Sequence, residues 1–447
     1  MGQPVYVITS PHDAVLVLKK VDNLSMDGWV TDLMEQFGAS SSSIQAMWSP
    51  VPEYKDESQP KEFEKALQVA SEEPLAHICQ LLFRLNLSPG EQADAIQSCL
   101  LGAIHERMTW KGMPGFLVLT ESDNSRVISL LKWSQYVLLE GATTSFFGKA
   151  LLQVEPDLFK SFCEFDDSSW KLSYRIPGIW ARDVRRSKGF VQDSMKRYFD
   201  LPTEMRSDAT YLIHSIETRM RAVGIGSKDI GTLVLMFYWV INANAWKTSF
   251  WMLVYIANDP ILYQNITNEI TPILSASPQL APIELASRLS ECARLVAVYN
   301  ETIRLTASSV SVRTVVGPAN IDNLNLEKGA RLVIPYRQML LDEQFFGADA
   351  QSFNHERFFH NPALAKSPSY KPFGGGTTLC PGRILAQREV LLFVALAVGK
   401  FKLGLGTGLD KTHRQLPELE TKNPCIGIMG PVTGQDVHIN VRKPHEG

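Results

Sequence analysis

The sequence predicts a mainly helical protein with small β-sheets, an α+β fold. Three observations carry that expectation. The segment from Ile384 to Leu396 is apolar on nearly every face, the stretch from Ile230 to Ile256 is long and apolar, and strand-like runs are short, as at Val5 to Ile8.

From the N-terminus, the Val5 to Ile8 strand leads through Ser10-Pro11-His12-Asp13 into a helix over Ala14 to Lys19. The runs Ser40 to Ser43 and Lys55 to Lys61 are polar and read as loops. Ser88-Pro-Gly-Glu91 has the form of a capping box and predicts a helix start with Ser88 as N-cap. Helical periodicity recurs over Leu130 to Leu139 and Asp193 to Phe199. The Ile230 to Ile256 stretch is long enough to suggest a membrane span, but Asn242, Asn244, Lys247, Thr248 and Ser249 interrupt it centrally. A buried helix suits it better. The last long helix runs from Ile384 and stops near Gly399.

Composition bounds the function. The chain has 447 residues, 45% of them hydrophobic, enough to fill a large interior. A net charge of -3 leaves no broad basic surface, which argues against nucleic acid as partner. Arg182, Arg185, Arg186 and Lys188 read as a solvated face. The six cysteines lack paired spacing, which argues for a reducing compartment and against a disulfide framework. Cys79, Cys99, Cys163, Cys292 and Cys425 read as ordinary thiols, and no zinc-type Cys/His pairing or dinucleotide fingerprint occurs.

Cys380 differs from the other five. It ends the glycine-rich run Phe373-Gly-Gly-Gly376-Thr-Thr-Leu-Cys380-Pro381-Gly382-Arg383 and leads into the apolar helix. A thiol binds metal as its anion, so it needs peptide N-H donors and positive charge nearby; glycines let the backbone approach. Pro381 is suited to the first turn of the helix, which would put Cys380 at its N-terminus where the macrodipole favours an anion. A phosphate loop is the competing reading of three glycines, but it would end in Gly-Lys-Ser/Thr.

The spacing of Phe373, Gly376, Cys380 and Gly382 resembles the haem-binding signature of the cytochrome P450 superfamily. That resemblance implies the fold of the superfamily, with haem b between a long distal helix and the proximal cysteine helix. It further implies Cys380 as axial thiolate, Phe373 packed beside the sulfur, and electron donation toward bound dioxygen. Many members carry Arg or His two residues before the cysteine to hold a propionate, where this chain has Thr378, so another cation must serve. Arg313 matches a position that often does.

Upstream, Glu301-Thr-Ile-Arg304 fits the Glu-x-x-Arg element of that family, and Phe353-Asn-His355-Glu356-Arg357-Phe358 resembles the segment giving a second arginine. The resemblance implies a buried, architectural charge triad of Glu301, Arg304 and Arg357. Glu291-Cys-Ala-Arg294 has the same form, but the strand-like run from Leu305 to Arg313 follows Glu301-x-x-Arg304 as it does in the family. A surface ion pair is the alternative.

The distal helix of the family usually carries an acid followed by a threonine that relay protons. Here the pair is Ala243 and Asn244, and the run from Trp239 to Trp251 resembles the branch holding prostacyclin synthase and the bile-acid sterol hydroxylases. Gly427 to Pro431 and Asp436-Val437 resemble the C-terminal hairpin of that branch. Asparagine donates and accepts hydrogen bonds but cannot act as an ordinary acid at neutral pH. Alternatively, Asn242 and Asn244 bond backbone carbonyls within the helix.

These implications assemble into one expectation. The whole chain, 1-447, is a single haem-thiolate catalytic domain inserting oxygen into a bulky apolar molecule of terpenoid, steroid or polyketide type, with electrons from an NADPH-cytochrome P450 reductase. The substrate cavity is expected among Trp239, Ala243, Asn244, Thr248, Ala307 to Val310, Ile428 and Met429, with Lys371 and Arg388 as exposed docking cations. The resemblance begins at what would be the second strand, without membrane anchor or first sheet strand, so this chain reads as soluble, while full-length members lie on the cytosolic face of the endoplasmic reticulum. A haem-dependent isomerase, cyclase or dehydratase needing no outside electrons, and a non-catalytic haem or lipid binder, remain the alternatives.

Overall fold

The apolar segment after Cys380 becomes the helix Arg383–Lys400, and every residue from Val390 to Val398 is at most 3% exposed. All-round burial of this kind explains why the sequence shows no polar face. Each fully buried Leu, Phe or Val there contributes about 1.5–3 kcal/mol relative to exposure. The computed structural model describes residues 4–19, 22–52, 58–322, 324–405 and 416–443. The contacts divide it into two compact units, one formed by residues 1–29, 101–138 and 243–447 and the other by 30–100 and 139–242.

The first unit holds every strand found among the described residues. One sheet orders Val5–Val7, Arg331–Pro335, Val310–Val315 and Leu24–Ser25, with the first pair parallel and the others antiparallel. A second sheet orders Val118–Ser122, Ser125–Ser129, His438–Arg442 and Lys402–Leu405. The cysteine helix packs against Ala245–Asn258, Pro260–Ser275 and Pro282–Leu289, so it lies at the centre of the helices of this unit. Trp133 meets Phe393 and Phe401 edge-on at 5.3 and 5.8 Å.

The second unit is helical. Arg182–Asp200 packs on Ser227–Asn242 and Leu158–Ser168, and its interior contains the ion pair of Arg206 with Glu217 at 2.6 Å. Thr143 and Tyr238 share a buried hydrogen bond of 2.8 Å.

The mainly α reading with small sheets is correct, and several boundaries differ from the expectation. The periodic segments at 130–139 and 193–199 are parts of longer helices, Leu130–Phe147 and Arg182–Asp200. Ser40 to Ser43 is not a loop: Ser40 accepts the Ser43 N-H as N-cap of Ser41–Met47, and both serines donate to Asp229, at 2.5 and 2.6 Å. Of the Lys55 to Lys61 run, residues 55–57 lie outside the described residues, and Lys61 begins the helix Lys61–Val69. Ser88 ends the helix Leu75–Leu87 rather than starting the next one, because its hydroxyl donates to the Arg84 carbonyl at 2.6 Å. Pro381 sits outside the cysteine helix, whose N-cap is Gly382. The strand after Glu301 is Val310–Val315, since Leu305 and Thr306 complete the helix Ala293–Thr306.

The long apolar stretch is not one helix. Ser227–Asn242 ends and Ala245–Asn258 begins across Ala243 and Asn244. At Asn244 the φ of -113° departs from the helical value while the ψ of -40° keeps it.

Candidate active site

The cysteine loop is shaped by a close approach that only glycine permits. Gly376 adopts φ +59°, and a Cβ there would stand 2.1 Å from the Leu18 carbonyl oxygen, so the loop packs directly on the helix Pro11–Lys19. The Cys380 N-H donates to the Phe373 carbonyl at 3.0 Å, which ties the two signature residues through the backbone. Burial is the largest influence on the Cys380 thiol and raises its pKa. The N-H groups of Gly382 and Arg383 and the Arg383 charge act the other way. A metal cation at the sulfur would complete what these groups begin, since a coordinated thiol is deprotonated.

Arg313 is 3% exposed and donates to the Val312 carbonyl at 2.9 Å and to Thr378 Oγ1 at 2.7 Å. Among the described residues no carboxylate pairs with it, and burial lowers its pKa. A buried guanidinium without a carboxylate calls for an anionic partner. The donor set therefore fits a haem: a thiol with N-H donors, and a buried cation suited to a propionate.

Glu301 and Arg304, both with fully buried side chains, form a bidentate pair with two contacts of 2.8 Å. Arg304 also donates to the Leu340 and Ala350 carbonyls, at 2.8 and 2.6 Å. Arg357 lies 3.5 Å from Glu301 and 3.0 Å from Asp349. The Asn354 N-H completes the shell of Glu301 at 2.9 Å. The three expected residues thus meet. Asp349 and Asn354 were missed, although Asn354 lies inside the segment that supplied Arg357. The rival Arg294 pairs with Glu356 at 2.6 Å, not with Glu291.

Most of the expected cavity residues in the first unit also converge. The Asn244 side-chain oxygen accepts the Ile428 N-H at 2.8 Å, and Thr248 donates from both backbone and hydroxyl to the Asn244 carbonyl, each at 3.1 Å. Ala307 forms a bridge with Ile428, and the Met429 N-H donates to the Thr306 carbonyl at 2.9 Å. Ala243 precedes Asn244 and is 7% exposed, and Val310 opens the strand just beyond Ala307. Trp239 belongs to the other unit, where its indole N-H donates to Asp166 at 2.7 Å and its ring meets Phe37 and Phe165. The intrahelical alternative describes Asn242, which donates to the Tyr238 carbonyl at 3.0 Å, but not Asn244.

One expectation fails here. Lys371 and Arg388 are half-buried rather than exposed, and Lys371 Nζ donates to the Ser367 carbonyl at 3.3 Å. None of the six cysteines is in a disulfide, and the thiols of Cys79 and Cys292 are pushed up to about 12, in each case chiefly by burial. No helix among the described residues is long and apolar enough to cross a membrane.

A family profile described as Cytochrome P450 matches residues 182–423, more than half of the chain. Among similar proteins, the cytochrome P450 monooxygenase poxD of Penicillium oxalicum is 24% identical over 442 residues, covering 96% of this chain and 84% of that protein. The monooxygenase fsoE of Humicola fuscoatra is 24% identical over 70% of this chain and 60% of its own length. Cytochrome P450 7A1 of Oryctolagus cuniculus is 26% identical over 47% of this chain and 45% of its own length. The chain belongs to the cytochrome P450 family, oxidoreductases whose cofactor is haem b on a cysteine thiolate.

Proposed function

We propose that Cys380 is the haem ligand of a monooxygenase acting on a bulky apolar small molecule, of terpenoid, steroid or polyketide type. The observation that carries this reading is Cys380 itself, whose thiol the Gly382 and Arg383 N-H groups favour as an anion, with the buried Arg313 of the strand Val310–Val315 hydrogen-bonded to Thr378 of the cysteine loop. When bound, the haem supplies activation of dioxygen. The residues do the rest. Arg313, steadied by Thr378, holds a propionate; the pairing of Glu301, Arg304 and Arg357 fixes the helix Ala293–Thr306 against the segment that precedes the cysteine loop. Ala243, Thr248, Ala307, Val310, Ile428 and Met429 form apolar walls that exclude water and orient the substrate. Electrons come from an NADPH-dependent reductase, and the whole chain works as one catalytic domain.

A rearrangement without external electrons is the second reading. It is favoured by Ala243 standing where an acid usually stands and by the commitment of the Asn244 oxygen to Ile428. Incubation of a terpenoid, steroid and polyketide panel under labelled dioxygen, with and without reductase and NADPH, separates them. Label in the product that requires reductase supports oxygenation; equal turnover without it supports rearrangement.

A further inference from the structure

We infer that Asn244 is a positioning residue. Its side-chain oxygen clamps the strap Cys425 to Met429 in place, and so sets the size of apolar ligand that the strap admits.

An asparagine at an N-cap ordinarily turns its oxygen to the N-H groups of its own helix. Asn244 is the N-cap of Ala245–Asn258 yet makes no such bond; its oxygen takes the Ile428 N-H at 2.8 Å instead. Which atom of the amide faces Ile428 is fixed by chemistry, because an N-H can bond only to the oxygen. From the same helix, Trp251 donates its indole N-H to the Met429 carbonyl at 2.8 Å. The Ser308 N-H donates to the Gly427 carbonyl at 2.7 Å, and the Met429 N-H donates to the Thr306 carbonyl at 2.9 Å. Backbone bonds thus tie the strap to Thr306 and Ser308, while the side chains of Asn244 and Trp251 tie it to the helix Ala245–Asn258.

Gly427 is matched to this clamp. A Cβ at that position would lie 2.2 Å from the Asn244 oxygen, so any larger residue forces the two apart. The φ of Gly427 lies outside the left-handed region, so alanine there probes this encounter rather than backbone strain. Asn244 and Gly427 are therefore a coupled pair. The link to ligand size rests on the proposed reading of Ile428 and Met429 as cavity walls; the clamp itself does not.

The test measures amide hydrogen exchange at Ile428 and the ratio of spectral dissociation constants for 4-phenylimidazole and imidazole, in wild type, N244A, N244D, G427A and N244A/G427A. Loss of the bond is expected to speed Ile428 exchange about fivefold to tenfold in N244A. G427A behaves alike, N244D restores slow exchange because a carboxylate accepts the same N-H, and the double variant is no faster than either single one. The imidazole ratio shifts at least ~3-fold in N244A and G427A and returns in N244D. Exchange unchanged in N244A, or single effects that add in the double variant, overturns the clamp. Faster exchange with an unchanged ratio overturns its role in ligand size. Exchange is readable with or without haem, so a protein that never binds haem refutes the proposed function while leaving the clamp testable on its own.

Discussion

Arg313 and Thr378 are hydrogen-bonded at 2.7 Å, so the buried arginine reaches the position where many relatives carry a cation of their own. The threonine is thus a seat for a cation from another strand. Arg313→Ala should lower the haem-to-protein ratio of purified material severalfold, whereas Thr378→Val, which keeps the charge and removes one bond, should cost about 1 kcal/mol and retain haem. Pigment absorbance against protein concentration checks both.

Glu301→Gln leaves Arg304 and Arg357 without their shared carboxylate in a fully buried place. A loss of about 3–5 kcal/mol is expected from breaking such a pair. Arg294→Ala removes a pair whose Glu356 side chain is 41% exposed and should cost about 1 kcal/mol or less. Denaturant titrations of both variants give the contrast; equal losses would contradict the ranking.

Glu389 is buried on the cysteine helix, and desolvation raises its pKa from 4.5 to about 8. Between these values the folded state holds a proton that the unfolded state has released, so stability falls as pH rises from about 4.5 to about 8. Glu389→Gln should remove that slope and be the more stable of the two above pH 8. Thermal unfolding across pH 5 to 9 reads the difference.

The sequence exposed features whose physics is local. Cys380, its glycines and the uniformly apolar helix are contiguous, and Glu301 and Arg304 are one helical turn apart, so spacing alone brought them together. What it hid depends on distant partners. The break at Ala243 and Asn244 is held by Ile428, 184 residues away, and no periodicity in the stretch itself announces it. Asp349 joins Arg357 from eight residues upstream without a motif. Ser88 shows the converse error, since a capping pattern was present but the preceding helix claimed its hydroxyl first.

The most direct test of the central claim is the carbon monoxide difference spectrum of the reduced protein, recorded for wild type and for Cys380→Ser. A red-shifted thiolate band in the wild type, absent from the variant while the fold is retained, is the predicted result. A band that survives replacement of Cys380, or a wild type that takes up haem without ever showing it, would contradict the account.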